Sequence, residues 1–170
     1  MSIVIKENFV PQDFFTKMQS LMLGEEFPWY FSEPIDMDTL NPNLLCDPLD
    51  NFQLCHTFYA NDEPVSPFYP VCIEPFVKAL GMRHLIRIKV NLNLRTKNIV
   101  KHGFHVDNNY HDSFTSILYL NTNDGYTEFI DGTKVESVEN RLVIFDTPLL
   151  HTGTTCTNEK YRLTLNLNYY

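Results

Sequence analysis

The second half of the chain is built on alternation. From His84 to Leu94, residues Ile86, Ile88, Val90, Leu92 and Leu94 take one side of an extended segment, while Arg87, Lys89, Asn91 and Asn93 take the other. This period-two pattern marks a half-buried strand. The last run repeats it, with Arg162, Thr164, Asn166 and Asn168 on a polar face and Leu163, Leu165 and Leu167 on an apolar one. Between them, β-prone runs at about 103–106, 114–121, 127–130, 133–137 and 142–145 read as further strands, and Asp131-Gly132 signals a two-residue hairpin turn. The first half has a different character. Phe14, Met18, Leu21 and Met22 fall at helical spacing between Pro11, suited to a first turn, and Gly24, suited to a stop. A strand is expected at Phe52 to Tyr59, and a second helix from Tyr69 to Leu80 closed by Gly81. The stretch from Glu25 to Pro48 is rich in Pro, Asp and Asn and holds Phe27, Trp29, Tyr30 and Phe31. Two readings stay open for it, a substrate-facing lid or aromatics packed over a sheet edge.

The pattern predicts a mostly β protein with flanking helices: a double-stranded β-helix, or jelly-roll, core with two N-terminal helices packed on one sheet. At 170 residues and 44% apolar content the chain suits a single domain, with 1–82 as helical and strand support and 83–170 as the jelly-roll core. The formal charge of −8 argues against a nucleic-acid partner, because it repels a phosphate backbone and no Lys/Arg cluster reverses it locally. The N-terminus lacks a basic segment followed by an apolar stretch, and no window approaches the ~18 apolar residues of a membrane span. A soluble, cytoplasmic protein is therefore expected. Cys46, Cys55, Cys72 and Cys156 are scattered without metal-site or disulfide spacing, so reduced thiols are expected.

Against this background one set of residues carries chemistry. His105 and Asp107 are two residues apart on an expected strand, so both side chains leave the same face. His151 follows the apolar run 142–145 in a turn containing Pro148 and Gly153. Two imidazoles and a carboxylate can bind one face of an iron ion and leave its other positions open. Alone, this triad is a weak signal that ordinary histidines imitate. Arg162 strengthens it, since a guanidinium aimed inward from a strand requires a counter-anion. A carboxylate ligand would provide one through a bidentate pair. His102 is three residues from His105, and on a regular strand this odd offset puts it on the opposite face.

These residues, in this order, resemble the 2-oxoglutarate- and Fe(II)-dependent dioxygenases, particularly the branch similar to prolyl 4-hydroxylases. The resemblance covers roughly 83–170. His105-Val-Asp107 resembles the H-x-D motif, Ser116-Ile-Leu-Tyr119 the strand that supplies a cosubstrate-binding tyrosine, 140–146 the run before the distal histidine, and Arg162 the basic residue beyond it. The resemblance implies iron on His105, Asp107 and His151, with 2-oxoglutarate and dioxygen as cosubstrates. It also implies that the far carboxylate of 2-oxoglutarate pairs with Arg162 and accepts a hydrogen bond from Tyr119. Succinate, CO₂ and hydroxylation of a C–H bond would follow, on a peptidyl (first a prolyl) or small-molecule substrate. Two departures stand out: Tyr126 replaces the second glycine of the usual pair, and no tyrosine lies between Leu94 and His105. Asn91 or Asn93 is the candidate to fill the latter role. Trp29, Tyr30, Arg95 and Tyr110 are candidates for substrate contact. The competing readings are an oxygenase of a small metabolite and a catalytically silent, cupin-like metal-binding module, the latter having no use for an inward Arg162.

Overall fold

The computed structural model describes residues 3–32, 51–82, 84–108 and 110–170. Its elements in chain order are β1 (Val4–Lys6), α1 (Gln12–Met22), β2 (Tyr30–Ser32), β3 (Gln53–Ala60), β4 (Glu63–Pro64), α2 (Tyr69–Cys72), α3 (Glu74–Leu80), β5 (Leu85–Leu94), β6 (Phe114–Tyr119), β7 (Tyr126–Phe129), β8 (Lys134–Glu136), β9 (Leu142–Asp146), β10 (His151–Gly153) and β11 (Tyr161–Tyr169). The large sheet runs β1-β9-β6-β11-β5-β3-β2, with β4 on β3, and the small one runs β10-β7-β8. Every pairing between these strands is antiparallel.

The alternation assigns each face of the large sheet its task. Leu163, Leu165 and Leu167 of β11 and Ile88, Val90 and Leu92 of β5 turn to the helices, where they form one core with Phe15, Met18, Met22, Cys72, Ile73 and Phe76. Burying each such side chain contributes about 1.5–3 kcal/mol, enough to fix strand register, since a one-residue slip would send all three leucines of β11 to the other face. On the opposite face Ile117, Tyr119, Val143 and Phe145 meet Phe129 and Val135 of the small sheet in a second cluster. The two sheets thus pack through apolar side chains at one end, and their polar inward residues are left to line a cavity at the other.

Local structure differs from the sequence pattern at several points. The helix expected over 69–80 is two, α2 and α3, meeting at Ile73. Pro75 causes the break: it has no N–H to give the carbonyl of Val71, and its ring crowds that turn. In α1 the deeply buried residues are Phe15, Met18 and Met22, with Phe14 and Leu21 only partly buried. The hairpin between β7 and β8 has a three-residue loop, because Phe129 N–H bonds the carbonyl of Thr133 at 2.9 Å and Gly132 N–H bonds that of Phe129 at 2.9 Å. Gly132 takes φ 86°, the left-handed position such loops require. Residues 103–106 form no strand. The chain from Lys101 to Val106 pairs with β10 and its flank only through isolated bridges, Lys101 to Thr154 and His105 to His151.

Cys55, Cys72 and Cys156 are free thiols, whereas Cys46 lies outside the described residues, as does most of the 25–48 segment for which a lid or a packed sheet edge was left open. Among the described residues no helix is long and apolar enough to cross a membrane.

Candidate metal centre

His105 and His151 are direct bridge partners: each donates its backbone N–H to the other's carbonyl, at 2.9 and 3.0 Å. This narrow pairing brings their rings to 4.7 Å between centroids. Each imidazole also donates Nδ1–H to the carbonyl two residues before it, His105 to Gly103 at 3.1 Å and His151 to Leu149 at 3.0 Å. A carbonyl can only accept, so the tautomer is set and both Nε2 lone pairs are left for another partner. His151 Nε2 is buried without one among the described residues. Asp107 completes the group, its oxygen and the two imidazole nitrogens all lying within 4.8 Å of one another. Two neutral imidazoles and one carboxylate converging with unused lone pairs fit a divalent first-row metal such as Fe(II).

The register explains how Asp107 is held. Arg87, Asn168 and Thr115 occupy one row across β5, β11 and β6. Asn168 Nδ2 donates to Asp107 Oδ2 at 3.0 Å, Thr115 Oγ1 to the same oxygen at 3.3 Å, and Arg87 Nη2 to Oδ1 at 3.3 Å. Burial pushes the Asp107 carboxyl up, but His151, Arg87, His105 and the Asn168 amide together outweigh it and hold it below its ordinary range. His151 is lowered, first by burial and then by His105, against the opposing pull of Asp107, which favours the neutral, metal-binding imidazole.

The next rows on the same face are Lys89, Asn166 and Ile117, then Asn91, Thr164 and Tyr119, then Asn93 and Arg162. Arg162 is 3% exposed. Its Nε donates to Ser137 Oγ at 2.8 Å, Nη2 to Thr127 Oγ1 at 3.2 Å and Nη1 to the Thr154 carbonyl at 3.5 Å. Among the described residues it pairs with no carboxylate. Gly125 lets the arginine in, since a Cβ there would stand 2.6 Å from Arg162 Cδ.

Arg162 and the three metal-capable residues line one cavity together with Lys89, Asn91, Asn93, Thr164 and Asn166. Asn91 Oδ1, Asn93 Nδ2 and Asn166 Oδ1 are buried there without partners among the described residues. Both asparagines singled out from the sequence therefore reach the wall. Tyr119 is not on it. The tyrosine is fully buried, donates its hydroxyl to Thr127 Oγ1 at 2.9 Å and places its ring 5.6 Å from the Arg162 guanidinium, so that Thr127 is the group reaching the cavity.

Other expectations change as well. His102 lines the cavity, contrary to the strand-parity argument, because the chain between Lys101 and His105 is irregular and residue parity is lost there. Of the proposed substrate contacts, Trp29 packs on Phe27 against the helical core, while Tyr30, Arg95 and Tyr110 are exposed and off the cavity wall. Arg87, Thr115 and Asn168 were not singled out as site residues. Their only sequence signal is a polar residue on an inward face.

No family model and no curated protein matches the chain. Solved structures do. An oxidoreductase of the 2OG-Fe(II) oxygenase family from Burkholderia pseudomallei superposes with a TM-score of 0.64 at 11% identity, over 98% of this chain and 84% of that one. A prolyl hydroxylase from Trichoplax adhaerens, in complex with a hypoxia inducible factor oxygen degradation domain peptide fragment, gives 0.65 at 14% identity, over 99% and 83%. The non-heme alpha ketoglutarate dependent epimerase SnoN from nogalamycin biosynthesis gives 0.66 at 10%, over 98% and 77%. The fold is the one found in 2-oxoglutarate/Fe(II) oxygenases, prolyl hydroxylases among them.

Proposed function

We propose that this protein is a non-haem Fe(II)- and 2-oxoglutarate-dependent dioxygenase that hydroxylates a C–H bond, with release of succinate and CO₂. The observation that carries the reading is Arg162, a buried guanidinium with no counter-anion among the described residues, in the cavity that also holds a two-histidine, one-carboxylate group. Burying such a charge unpaired is costly, and a dicarboxylate ligand relieves that cost. His105, Asp107 and His151 would hold the iron, and Arg162 would bind the far carboxylate of 2-oxoglutarate. Asn91 and Asn93 are the candidates to contact the rest of the cosubstrate. Tyr119 would act through Thr127 and through its ring beneath the guanidinium. Bound iron and 2-oxoglutarate supply the activation of dioxygen; the chain supplies ligands, orientation and a site shielded from water.

In this reading residues 1–170 form one domain, 83–170 being a double-stranded β-helix core and 1–82 its support. The substrate is a small molecule or an amino-acid side chain, with a prolyl group as one option, given that one structural neighbour carries a peptide. A silent metal-binding module of the same fold is disfavoured by Arg162, which such a module would not need.

The test is anaerobic titration with Fe(II) and 2-oxoglutarate. A weak visible charge-transfer band should appear only when both are present, and its absence would refute the assignment. Succinate release screened against peptides, amino acids and small metabolites then identifies the substrate.

A further inference from the structure

His102 is 5% exposed, and both its ring nitrogens are buried without a hydrogen-bond partner among the described residues. A neutral imidazole has one donor and one acceptor to satisfy, and leaving either unpaired in the interior is destabilising. Its backbone is clamped: His102 N–H bonds the Gly153 carbonyl at 3.1 Å, and Thr152 Oγ1 donates to the His102 carbonyl at 2.7 Å. The bridges Lys101 to Thr154 and His105 to His151 lie on either side of it. The ring is thus held against the cavity by a fixed segment.

We propose that His102 is a cosubstrate-binding residue, its imidazole N–H donating to the dicarboxylate that Arg162 anchors, on the wall that it shares with Arg162 and His105. This deepens the oxygenase reading and rests on it. Burial first, then Arg162 and His105, oppose its protonation and lower it to about 4. His102 therefore contributes a donor that leaves the guanidinium to supply the positive charge. It does not belong to the group within 4.8 Å that could hold the metal. The ligand would satisfy the donor nitrogen of the ring, which no protein group among the described residues bonds.

The experiment is calorimetric titration of 2-oxoglutarate into Fe(II)-loaded protein under argon, comparing wild type, His102→Ala and His102→Gln, with Fe(II) affinity and thermal unfolding measured alongside. His102→Ala should weaken 2-oxoglutarate binding about ten- to a hundredfold, the range for a hydrogen bond to a charged group. Fe(II) affinity should be unchanged, and His102→Gln, which keeps a donor, should recover much of the loss. Wild-type cosubstrate affinity in a folded His102→Ala protein, or a parallel loss of Fe(II) binding, overturns the proposal while leaving the oxygenase reading intact. If wild type itself binds no 2-oxoglutarate, the oxygenase reading fails, and the His102 proposal with it.

Discussion

Asn168 Nδ2 donates a 3.0 Å hydrogen bond to Oδ2 of Asp107 across a sequence separation of 61 residues, and a second one of 3.0 Å to Thr115 Oγ1. The amide fixes one carboxylate oxygen from beneath, while Arg87 Nη2 approaches the other. The carboxylate is therefore oriented before any metal arrives, and a ligand held in advance loses less entropy on binding.

Replacing Asn168 with Leu, which keeps its approximate volume, should lower metal affinity about ten- to a hundredfold, the usual cost of removing a group that orients a ligand. Asp107→Ala should abolish binding. Titration with Mn(II) followed by paramagnetic resonance reads both, and unaltered affinity in Asn168→Leu would show that the amide does not support the carboxylate.

Arg162→Ala should raise the 2-oxoglutarate concentration needed for turnover about a hundredfold, as expected for loss of a charge-assisted pair. Metal binding should persist. Arg162→Lys should restore little, because one ammonium cannot meet Ser137, Thr127 and a carboxylate with the geometry of a planar fork. Normal cosubstrate dependence in Arg162→Ala would contradict the role given to the last strand.

Gly125→Ala tests the packing behind that arginine. The added methyl would stand 2.6 Å from Arg162 Cδ, 2.7 Å from the Thr155 carbonyl oxygen and 2.8 Å from Asn123 Oδ1, and two of these three neighbours belong to buried side chains. Overpacking of this kind costs about 1–3 kcal/mol. Urea denaturation should show the loss, together with weaker 2-oxoglutarate binding as Arg162 is displaced. Unchanged stability and affinity would mean that the site yields easily.

Acid should destabilise the metal-free protein partly through His102. Its folded-state pKa is lowered to about 4 from the ordinary 6.5 of histidine, first by burial and then by Arg162 and His105. The unfolded chain therefore binds the proton first as pH falls, and stability declines from about pH 6.5 towards pH 4. From neutral pH to pH 5 this group should account for about 2 kcal/mol. His56 and His151 are lowered too and add to the slope. Urea denaturation across this range should show a smaller decline in His102→Gln than in wild type; equal declines would contradict the shift.

Much of the site was legible because strand parity is a local property. The alternation in 84–94 and 162–168 alone indicates that Asn91, Asn93 and Arg162 face away from the leucine-lined core, and the structure puts all three on the cavity wall. His105, Asp107 and His151 could be nominated by residue type and order. Parity fails where the chain leaves the ladder: between Lys101 and His105 only isolated bridges form, so no count of odd and even positions could place His102. Tyr119 shows the opposite limit. Its face was readable, yet its hydroxyl is taken by Thr127, a residue eight positions away that a hairpin of the other sheet presents.

The sequence by itself determined strands β3, β5, β6, β7, β8, β9 and β11, the side on which the apolar residues of β5 and β11 lie, and an ordered set of chemical groups, because these depend on propensity and on the two-residue repeat of an extended chain. Tertiary structure decided which groups meet. The mutual hydrogen bonds of His105 and His151, the triple support of Asp107 by Arg87, Thr115 and Asn168, and the burial of Arg162 and His102 on one cavity wall all arise from cross-strand register and from the packing of one sheet on the other. Those are contacts between distant segments, whose relative positions are set by the burial of the apolar faces behind them.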